Sequence, residues 1–217
     1  MARTGATITG TPGPDLVQGT RFADTISTSL GNDVIHGGRG NDVIFADVTF
    51  VPGLGQSNND TVFGDQGNDT IFVGSGEDLV YGGPGDDAIT LAAGGMGIPF
   101  TPPDGPDTVV FEYNSHSGRG IGRDTINTVQ GCDVLVFLDR TGQTDSLADL
   151  EAQTRLVDVG VNAYRIEWLK GDQSITLHLD DGYLNFGKPP EQQVNWDDFT
   201  TLDDLATVLT FQFHGFV

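Results

Sequence analysis

The chain has 217 residues and a formal charge of −21, from 31 acidic against 10 basic residues, and 26 of the acids are aspartates. So acidic a chain is repelled by nucleic acid and by anionic membrane surfaces, and it favours bound cations. The single Cys132 excludes an intrachain disulfide, and the sequence lacks both an N-terminal signal peptide and a stretch long enough to span a membrane.

A nine-residue repeat dominates the first part of the chain. Eight units begin at residues 10, 19, 28, 37, 55, 64, 73 and 82. The sixth place is always aspartate, in the series Asp15, Asp24, Asp33, Asp42, Asp60, Asp69, Asp78 and Asp87. The eighth place is always valine or isoleucine, in the series Val17, Ile26, Ile35, Ile44, Val62, Ile71, Val80 and Ile89. A period of this kind indicates stacked structural repeats.

Each unit divides into a loop and a minimal strand. The first six residues lack a core-facing apolar position, and their glycines permit the backbone of a tight turn. The last three form a strand whose middle side chain points inward. Because so short a strand is not stable alone, we expect a parallel solenoid in which two units make one turn and two sheets enclose a thin core.

The loops predict metal binding. Stacked loops bring carboxylates and backbone carbonyls of successive turns together, and an oxygen cage of this kind suits Ca²⁺ rather than Zn²⁺, which prefers Cys and His. Metal binding should be coupled to folding, since like charges repel without the cation. The candidate ligands are the eight sixth-place aspartates and, in the loops, Gly13, Gly31, Gly38, Gly40, Gly67, Gly76, Gly83 and Gly85.

Residues 10 to 90 resemble the RTX (repeats-in-toxin) calcium-binding family, whose repeat is G-G-x-G-x-D-x-U-x. GGRGNDVIF and GGPGDDAIT fit it fully, whereas Phe22, Asn58, Thr28 and Val73 depart from it. The resemblance implies an all-β, right-handed parallel β-roll that folds when it meets external calcium. It also implies export from a Gram-negative bacterium by the type I secretion machinery.

The nine residues ADVTFVPGL, at 46–54, interrupt the repeat. As a metal-free half-turn they would place Asp42 beside Asp60 and leave five inter-loop sites. As a bulge they would place Asp33 beside Asp60 and Asp42 beside Asp69, which gives six. We favour the bulge, because Pro52 cannot donate a ladder hydrogen bond. About five or six calcium ions are expected in total.

Residues 92–106 are rich in glycine and proline and predict a second excursion. A weaker Asp-x-apolar pattern follows at Asp107, Asp124 and Asp133. In RTX chains such segments resemble degenerate turns that close the roll. We expect these three aspartates to be structural rather than calcium ligands.

The composition changes from residue 144. TDSLADLEAQ predicts a short helix with Ser146 and Asp149 at capping-box spacing, and NAYRIEWL and QSITLHL predict a hairpin. WDDFTTLDDLATVLTFQF predicts a short helix, capped by Thr201, with a strand-like end. We therefore divide the chain into a roll over 1–110 and a β-rich capping region with some helix over 111–217. The resemblance implies that this second region carries an uncleaved secretion signal.

Four ninth-place aromatic residues, Phe45, Phe63, Phe72 and Tyr81, should point outward from the roll. A row of exposed aromatics is unusual on a monomer. We expect the C-terminal segment to fold over them. The alternative is a face that binds carbohydrate or protein, which solvent-exposed Phe63 and Tyr81 would favour.

No catalytic motif stands out, and the four histidines share no ligand spacing. We therefore predict a non-enzymatic, secreted calcium-binding protein with a structural, adhesive or interaction role. The alternative is the C-terminal module of a larger exported protease, lipase, epimerase or pore-former. A small hydrolase using aspartates such as Asp197 and Asp198 ranks last.

Overall fold

The structure of the chain is a computed structural model. It describes residues 4–47, 58–92, 105–113, 120–130, 132–142, 144–160, 162–179 and 199–215. Strands form two sheets, and successive strands of the repeats alternate between them. This alternation follows from the nine-residue period, because the loop of each unit connects a strand of one sheet to a strand of the opposite sheet. The predicted parallel β-roll is confirmed.

The larger sheet has nine strands in the order β1-β3-β5-β7-β9-β11-β15-β14-β13. These are β1 (Thr7–Thr9), β3 (Thr25–Ser27), β5 (Val43–Phe45), β7 (Thr70–Gly74), β9 (Ala88–Ala92), β11 (Arg123–Val129), β13 (Thr154–Gly160), β14 (Ala163–Trp168) and β15 (Ser174–Leu179). Neighbours are parallel from β1 to β15, while β15, β14 and β13 pair antiparallel.

The smaller sheet has seven parallel strands in the order β16-β12-β10-β8-β6-β4-β2. These are β2 (Leu16–Gln18), β4 (Val34–His36), β6 (Thr61–Phe63), β8 (Leu79–Tyr81), β10 (Thr108–Tyr113), β12 (Val134–Asp139) and β16 (Thr210–Gly215).

The eighth-place side chains form the core. Ile26, Ile44, Ile71 and Ile89 follow one another in register along the larger sheet, and each is fully buried. In the smaller sheet the corresponding column includes Val17, Ile35, Val62, Val80 and Val109. Burial of this double column stabilises strands that are too short to persist alone.

Both sheets continue past the expected boundary at residue 110, which falls within β10. The core there becomes aromatic, with Phe111, Tyr113, Phe137 and Trp168 packed together. The smaller sheet even closes with β16, whose partner β12 lies more than seventy residues earlier. The roll and the C-terminal region therefore share one continuous core.

The predicted C-terminal elements are confirmed. Helix α1 (Leu147–Gln153) has Ser146 as its N-cap, and helix α2 (Leu202–Leu205) has Thr201 with a complete capping box. Strands β14 and β15 form the predicted hairpin. No helix in the described part of the chain is long and apolar enough to cross a membrane. The segment 181–198, which includes Asp197 and Asp198, lies outside the described residues.

The strand pairing across the interruption agrees with the favoured bulge. Strand β4 pairs with β6, and β5 pairs with β7, so that the nine extra residues leave the ladder unbroken. The predicted bounds of 46–54 need correction, however. Ala46 and Asp47 donate backbone hydrogen bonds to Phe72 and Val73 and already belong to the loop that leads to β6. The extra residues lie between Asp47 and Asn58, and residues 48–57, like 93–104 of the second excursion, lie outside the described residues.

Candidate metal-binding loops

The sixth-place aspartates form a ladder of hydrogen bonds along each side of the roll. In each step the backbone N–H of one aspartate donates to Oδ1 of the aspartate one turn further on. The distances are 2.9 Å for Asp15–Asp33, 2.7 Å for Asp24–Asp42, 2.8 Å for Asp33–Asp60, 2.7 Å for Asp42–Asp69, 2.8 Å for Asp60–Asp78 and 2.8 Å for Asp69–Asp87. The structure thus brings the predicted aspartates together and uses Oδ1 of six of them, whereas Asp15 and Asp24 take part in these steps only as backbone donors.

The second carboxylate oxygen is left over in most of these loops. Oδ2 is buried, and has no hydrogen-bond partner within the described residues, in Asp33, Asp42, Asp60, Asp69 and Asp87. A buried carboxylate oxygen without a partner is costly, and a row of them is unusual for a folded chain. These oxygens mark where the loops would accept a cation.

The first-place glycines lie against these unpartnered oxygens. A Cβ added to Gly37 would lie 2.7 Å from Asp42 Oδ2 and 2.6 Å from the carbonyl oxygen of Gly64 on the next turn. In the same way, a Cβ at Gly64 would lie 2.7 Å from Asp69 Oδ2. A carboxylate and a backbone carbonyl therefore converge where only glycine fits. The sequence analysis did not include these first-place glycines among its candidates, although the repeat marks them.

The predicted loop glycines mostly adopt backbone conformations that other residues avoid. Gly67 has φ +139°, and an added Cβ there would overlap the carbonyl of Gly40. Positive φ is also found at Gly31, Gly38, Gly40, Gly76, Gly83 and Gly85. Gly13 differs, because its φ lies outside the left-handed range and an added Cβ would meet nothing within 4 Å.

In the first two loops, unlike the later ones, both carboxylate oxygens of the sixth-place aspartate accept hydrogen bonds. The backbone N–H of Thr20 donates to Asp24 Oδ2 at 2.5 Å, and the Thr20 hydroxyl donates to Asp24 Oδ1 at 3.0 Å. Thr11 donates to Asp15 in the same manner, from its N–H at 2.6 Å and from its hydroxyl. Threonine at the second place thus satisfies the oxygen that is unpartnered in later loops.

The pKa values of the aspartates differ between the early loops, where threonine bonds the carboxylate, and the later loops, where one oxygen is unpartnered. Burial, together with the charges of neighbouring aspartates, raises the pKa of Asp60 to about 8 and the pKa values of Asp69 and Asp87 to about 7. Burial acts on Asp24 as well, but the hydrogen bonds from Ala6 and Thr20 outweigh it and lower the pKa of that carboxyl. The later loops therefore disfavour a bare carboxylate unless a cation compensates it.

A second ladder, which the sequence analysis missed, runs through the fifth place. Oδ1 of Asn41 accepts from the backbone N–H of Asn68 at 3.0 Å, and Oδ1 of Asn68 accepts from Asp86 at 3.2 Å. Asn32 and Asn59 form the same contact at 3.1 Å. Frequent asparagine and aspartate at this place were the available signal. This ladder holds the loops in register beside the sixth-place aspartates.

Asp107, Asp124 and Asp133 extend the sixth-place ladder. Their Oδ1 atoms accept from the backbone N–H groups of Asp78, Asp87 and Asp107 at 2.9, 3.0 and 3.1 Å. Asp133 Oδ2 also accepts from the N–H of Gln130 at 2.7 Å. All three side chains thus have a structural role. That they do not bind calcium as well stays a prediction.

The donor set of the loops suits a hard cation. No three His, Cys, Asp or Glu side chains of the described residues group together as a metal site. A cation between turns would be held by one or two carboxylates together with backbone carbonyls, and Ca²⁺ prefers oxygen ligands of these kinds. The buried oxygens of Asp42 and Asp69, and the glycines that make room beside them, fit such an ion.

The ninth-place aromatic residues form two stacks on the outer faces of the sheets. His36, Phe63 and Tyr81 stack with ring centroids 4.4 and 4.8 Å apart, and Phe45 stacks on Phe72 at 4.9 Å. Phe72 is 36% exposed, while Phe63 and Tyr81 are half-buried. The rings cover one another's faces, and a sugar that stacks on an aromatic face would find few of them open.

Paired parallel sheets and loops lined by oxygen atoms define a calcium-binding β-roll. Residues 9–44 and 54–89 match the RTX calcium-binding nonapeptide repeat, in four copies, and this part of the chain belongs to that repeat family. No curated protein sequence matches the chain significantly. Among solved structures, the extracellular lipase LipA from Serratia marcescens is similar, with 15% identity and a TM-score of 0.33. The match covers 92% of this chain and 40% of the lipase chain.

Proposed function

We propose that this chain is a secreted protein whose β-roll folds when it binds calcium outside the cell. One observation carries the proposal: five sixth-place aspartates each bury a carboxylate oxygen that has no hydrogen-bond partner among the described residues. Folding without a cation leaves these oxygens uncompensated, whereas folding around calcium satisfies them.

The charge of the chain supports coupling between folding and calcium. The net charge is −21, and the ladder places carboxylates of successive turns beside one another. Repulsion among them opposes the compact state, and a metal that binds the folded state alone stabilises it by mass action. Low calcium would thus keep the chain unfolded, and calcium outside the cell would fold it.

We infer a structural, adhesive or interaction role rather than an enzymatic one. Among the described residues, Cys132, His36 and the roll aspartates are engaged in other contacts or poorly suited to catalysis. Burial raises the pKa of the Cys132 thiol to about 11, which disfavours a reactive thiolate. His36 stacks on Phe63, and its Nδ1 lies 3.3 Å from Asp65 Oδ2. The roll aspartates are committed to the ladder.

Export by a type I system, with a signal in the C-terminal region, is part of the same proposal. Its support is the RTX repeat itself, since the described residues carry no direct mark of an export route. Removing the last sixty or so residues should abolish export from a host that has a type I system. Export of that truncated chain would exclude a C-terminal signal.

The alternative is a calcium-binding module of a larger exported enzyme or toxin. Strands β1 and β2 each pair on one side only within the described residues, so the first turn of the roll offers two open strand edges. Such edges invite further pairing. A reading frame that extends well before Met1 would favour the module, and one that begins at Met1 would favour the independent protein.

Circular dichroism tests the central claim. We expect the full chain to be largely unfolded in chelator at neutral pH and to gain β-structure on addition of millimolar Ca²⁺. The same concentration of Mg²⁺ is the control, because Mg²⁺ releases its water reluctantly and should fold the chain poorly. An identical β-signal in chelator and in calcium would overturn the proposal.

A further inference from the structure

The carboxylate of Asp24 is fully satisfied by hydrogen bonds, although it is 2% exposed. Its Oδ1 accepts from the Ala6 N–H at 2.5 Å and from the Thr20 hydroxyl at 3.0 Å, and its Oδ2 accepts from the Thr20 N–H at 2.5 Å. Hydrogen bonds to a carboxylate are about twice as strong as neutral ones. A cation at either oxygen of Asp24 would have to displace or share hydrogen bonds that the oxygen already accepts.

Asp15 repeats this arrangement in the loop of the first repeat. Thr11 donates its N–H to Oδ2 at 2.6 Å, and its hydroxyl lies 3.2 and 3.1 Å from the two oxygens. Both first loops thus carry threonine at the second place and a carboxylate bonded within its own loop. The nine-residue repeat has glycine at that place in loops such as 37–42 and 82–87.

From the third loop onward the arrangement changes. Asp33 and Asp42 are each 1% exposed, and each leaves Oδ2 without a hydrogen-bond partner in the described part of the chain. At the second place of loop 37–42, Gly38 has φ +102° and donates its N–H to Asp65 of the next turn instead of to its own aspartate. The loops are therefore of two kinds, divided between Asp24 and Asp33.

We propose that Thr11 and Thr20 replace calcium in the first two loops, so that the calcium-dependent ladder begins at Asp33. Loops 10–15 and 19–24 then close the N-terminal turn of the roll without a metal. The inference rests on the proposed function, because it divides the loops of a calcium-binding roll. It removes Asp15 and Asp24 from the calcium ligands predicted from the sequence and assigns their carboxylates to hydrogen bonds that hold the first two loops.

Two matched substitutions test this in the full chain. Asp24→Asn and Asp42→Asn change buried carboxylates whose Oδ1 atoms both accept a backbone N–H. Calcium is titrated alone, and the number of bound ions is measured by isothermal titration calorimetry. We expect Asp42→Asn to bind one ion fewer than the wild type and Asp24→Asn to bind the same number.

Thr20→Val provides a second test that leaves Asp24 in place. It removes the hydroxyl, which donates to Asp24 Oδ1 and accepts from the Phe22 N–H at 3.2 Å, and it keeps the bond from the Thr20 N–H to Oδ2. We expect an unchanged number of calcium ions and a thermal midpoint lowered by about 2–4 °C in saturating calcium. Loss of an ion in Asp24→Asn or in Thr20→Val, or retention of every ion in Asp42→Asn, would overturn the division of the loops while leaving the calcium-binding roll intact. A wild-type chain that binds no calcium would overturn both.

Discussion

The backbone N–H of Asp33 donates to Oδ1 of Asp60 at 2.8 Å, although 27 residues separate the two. The Asp42–Asp69 contact, which also spans the interruption, has the same separation of 27 residues. Between repeat loops that the interruption does not separate, the contact joins aspartates 18 residues apart, as between Asp24 and Asp42. The difference is one complete nine-residue unit. The ladder therefore passes the interruption as if its residues were absent, and both sheets stay in register beyond it.

Deleting residues 48–56 should consequently preserve the roll. The deletion joins Asp47 to Ser57 and restores an unbroken unit, ADSNNDTVF, with aspartate at the sixth place. We expect the same number of calcium ions and the same calcium midpoint of folding within about threefold, because shortening a loop changes its closure entropy only slightly. Calorimetry and circular dichroism measure the two quantities.

The control removes nine residues from within the ladder. Deleting 64–72 takes out Asp69, Ile71 and the first three residues of strand β7, and it should force every later strand to the opposite sheet. That variant should lose calcium-induced folding. If deletion of 48–56 damages folding as severely, the excursion contributes to the roll and the pairing of Asp33 with Asp60 depends on it.

The period of the sequence predicted the roll because each unit contains its own strand, its own core residue and its own loop. It did not predict how the roll ends. Strand β12 pairs with β16, with Val134 opposite Thr210, and no repeated sequence motif marks this pairing. Nor did it separate Asp24 from Asp42, since the repeat gives both the same place and only the hydrogen bonds of Thr20 distinguish them.

Close packing of successive loops predicts a strong effect of one added methyl group. Gly67→Ala would put a Cβ into the Gly40 carbonyl at φ +139°, whereas Gly13→Ala would add one in open space. Left-handed strain alone costs about 1–2 kcal/mol for a residue with a side chain. We expect Gly67→Ala to raise the calcium midpoint markedly and Gly13→Ala to change stability by less than about 0.5 kcal/mol. Equal midpoints for the two variants would contradict the loop geometry.

The thin core predicts that single eighth-place residues matter. Ile71 is fully buried between the sheets, and Leu16, on strand β2, is 79% exposed. Ile71→Ala should lower the free energy of unfolding in saturating calcium by about 2–5 kcal/mol, since it leaves a cavity that a two-sheet core cannot fill. Leu16→Ala serves as the control and should have little effect. Urea unfolding at fixed calcium measures both, and comparable losses would mean that the eighth-place column is not the core.

Acid should partly replace calcium. Burial raises the pKa of Asp60 to about 8 and the pKa values of Asp69 and Asp87 to about 7 in the folded chain, against about 4 for an unfolded carboxyl. Between about pH 4 and pH 8 the folded state therefore binds more protons than the unfolded state. The stability that this protonation gives the folded state is fully present below about pH 4 and is lost as the pH rises through 7 to 8.

The calcium-free chain should accordingly show more β-structure at pH 5 than at pH 8, and the gain of β-structure on adding calcium should be larger at pH 8, where the calcium-free chain is less folded. Circular dichroism in chelator at the two pH values measures the first effect, and calcium titrations measure the second. Asp60→Asn is the control, because its neutral side chain should weaken the dependence on pH. A calcium-free chain that is better folded at pH 8 than at pH 5 would reverse the sign and show that these carboxylates are not buried against one another.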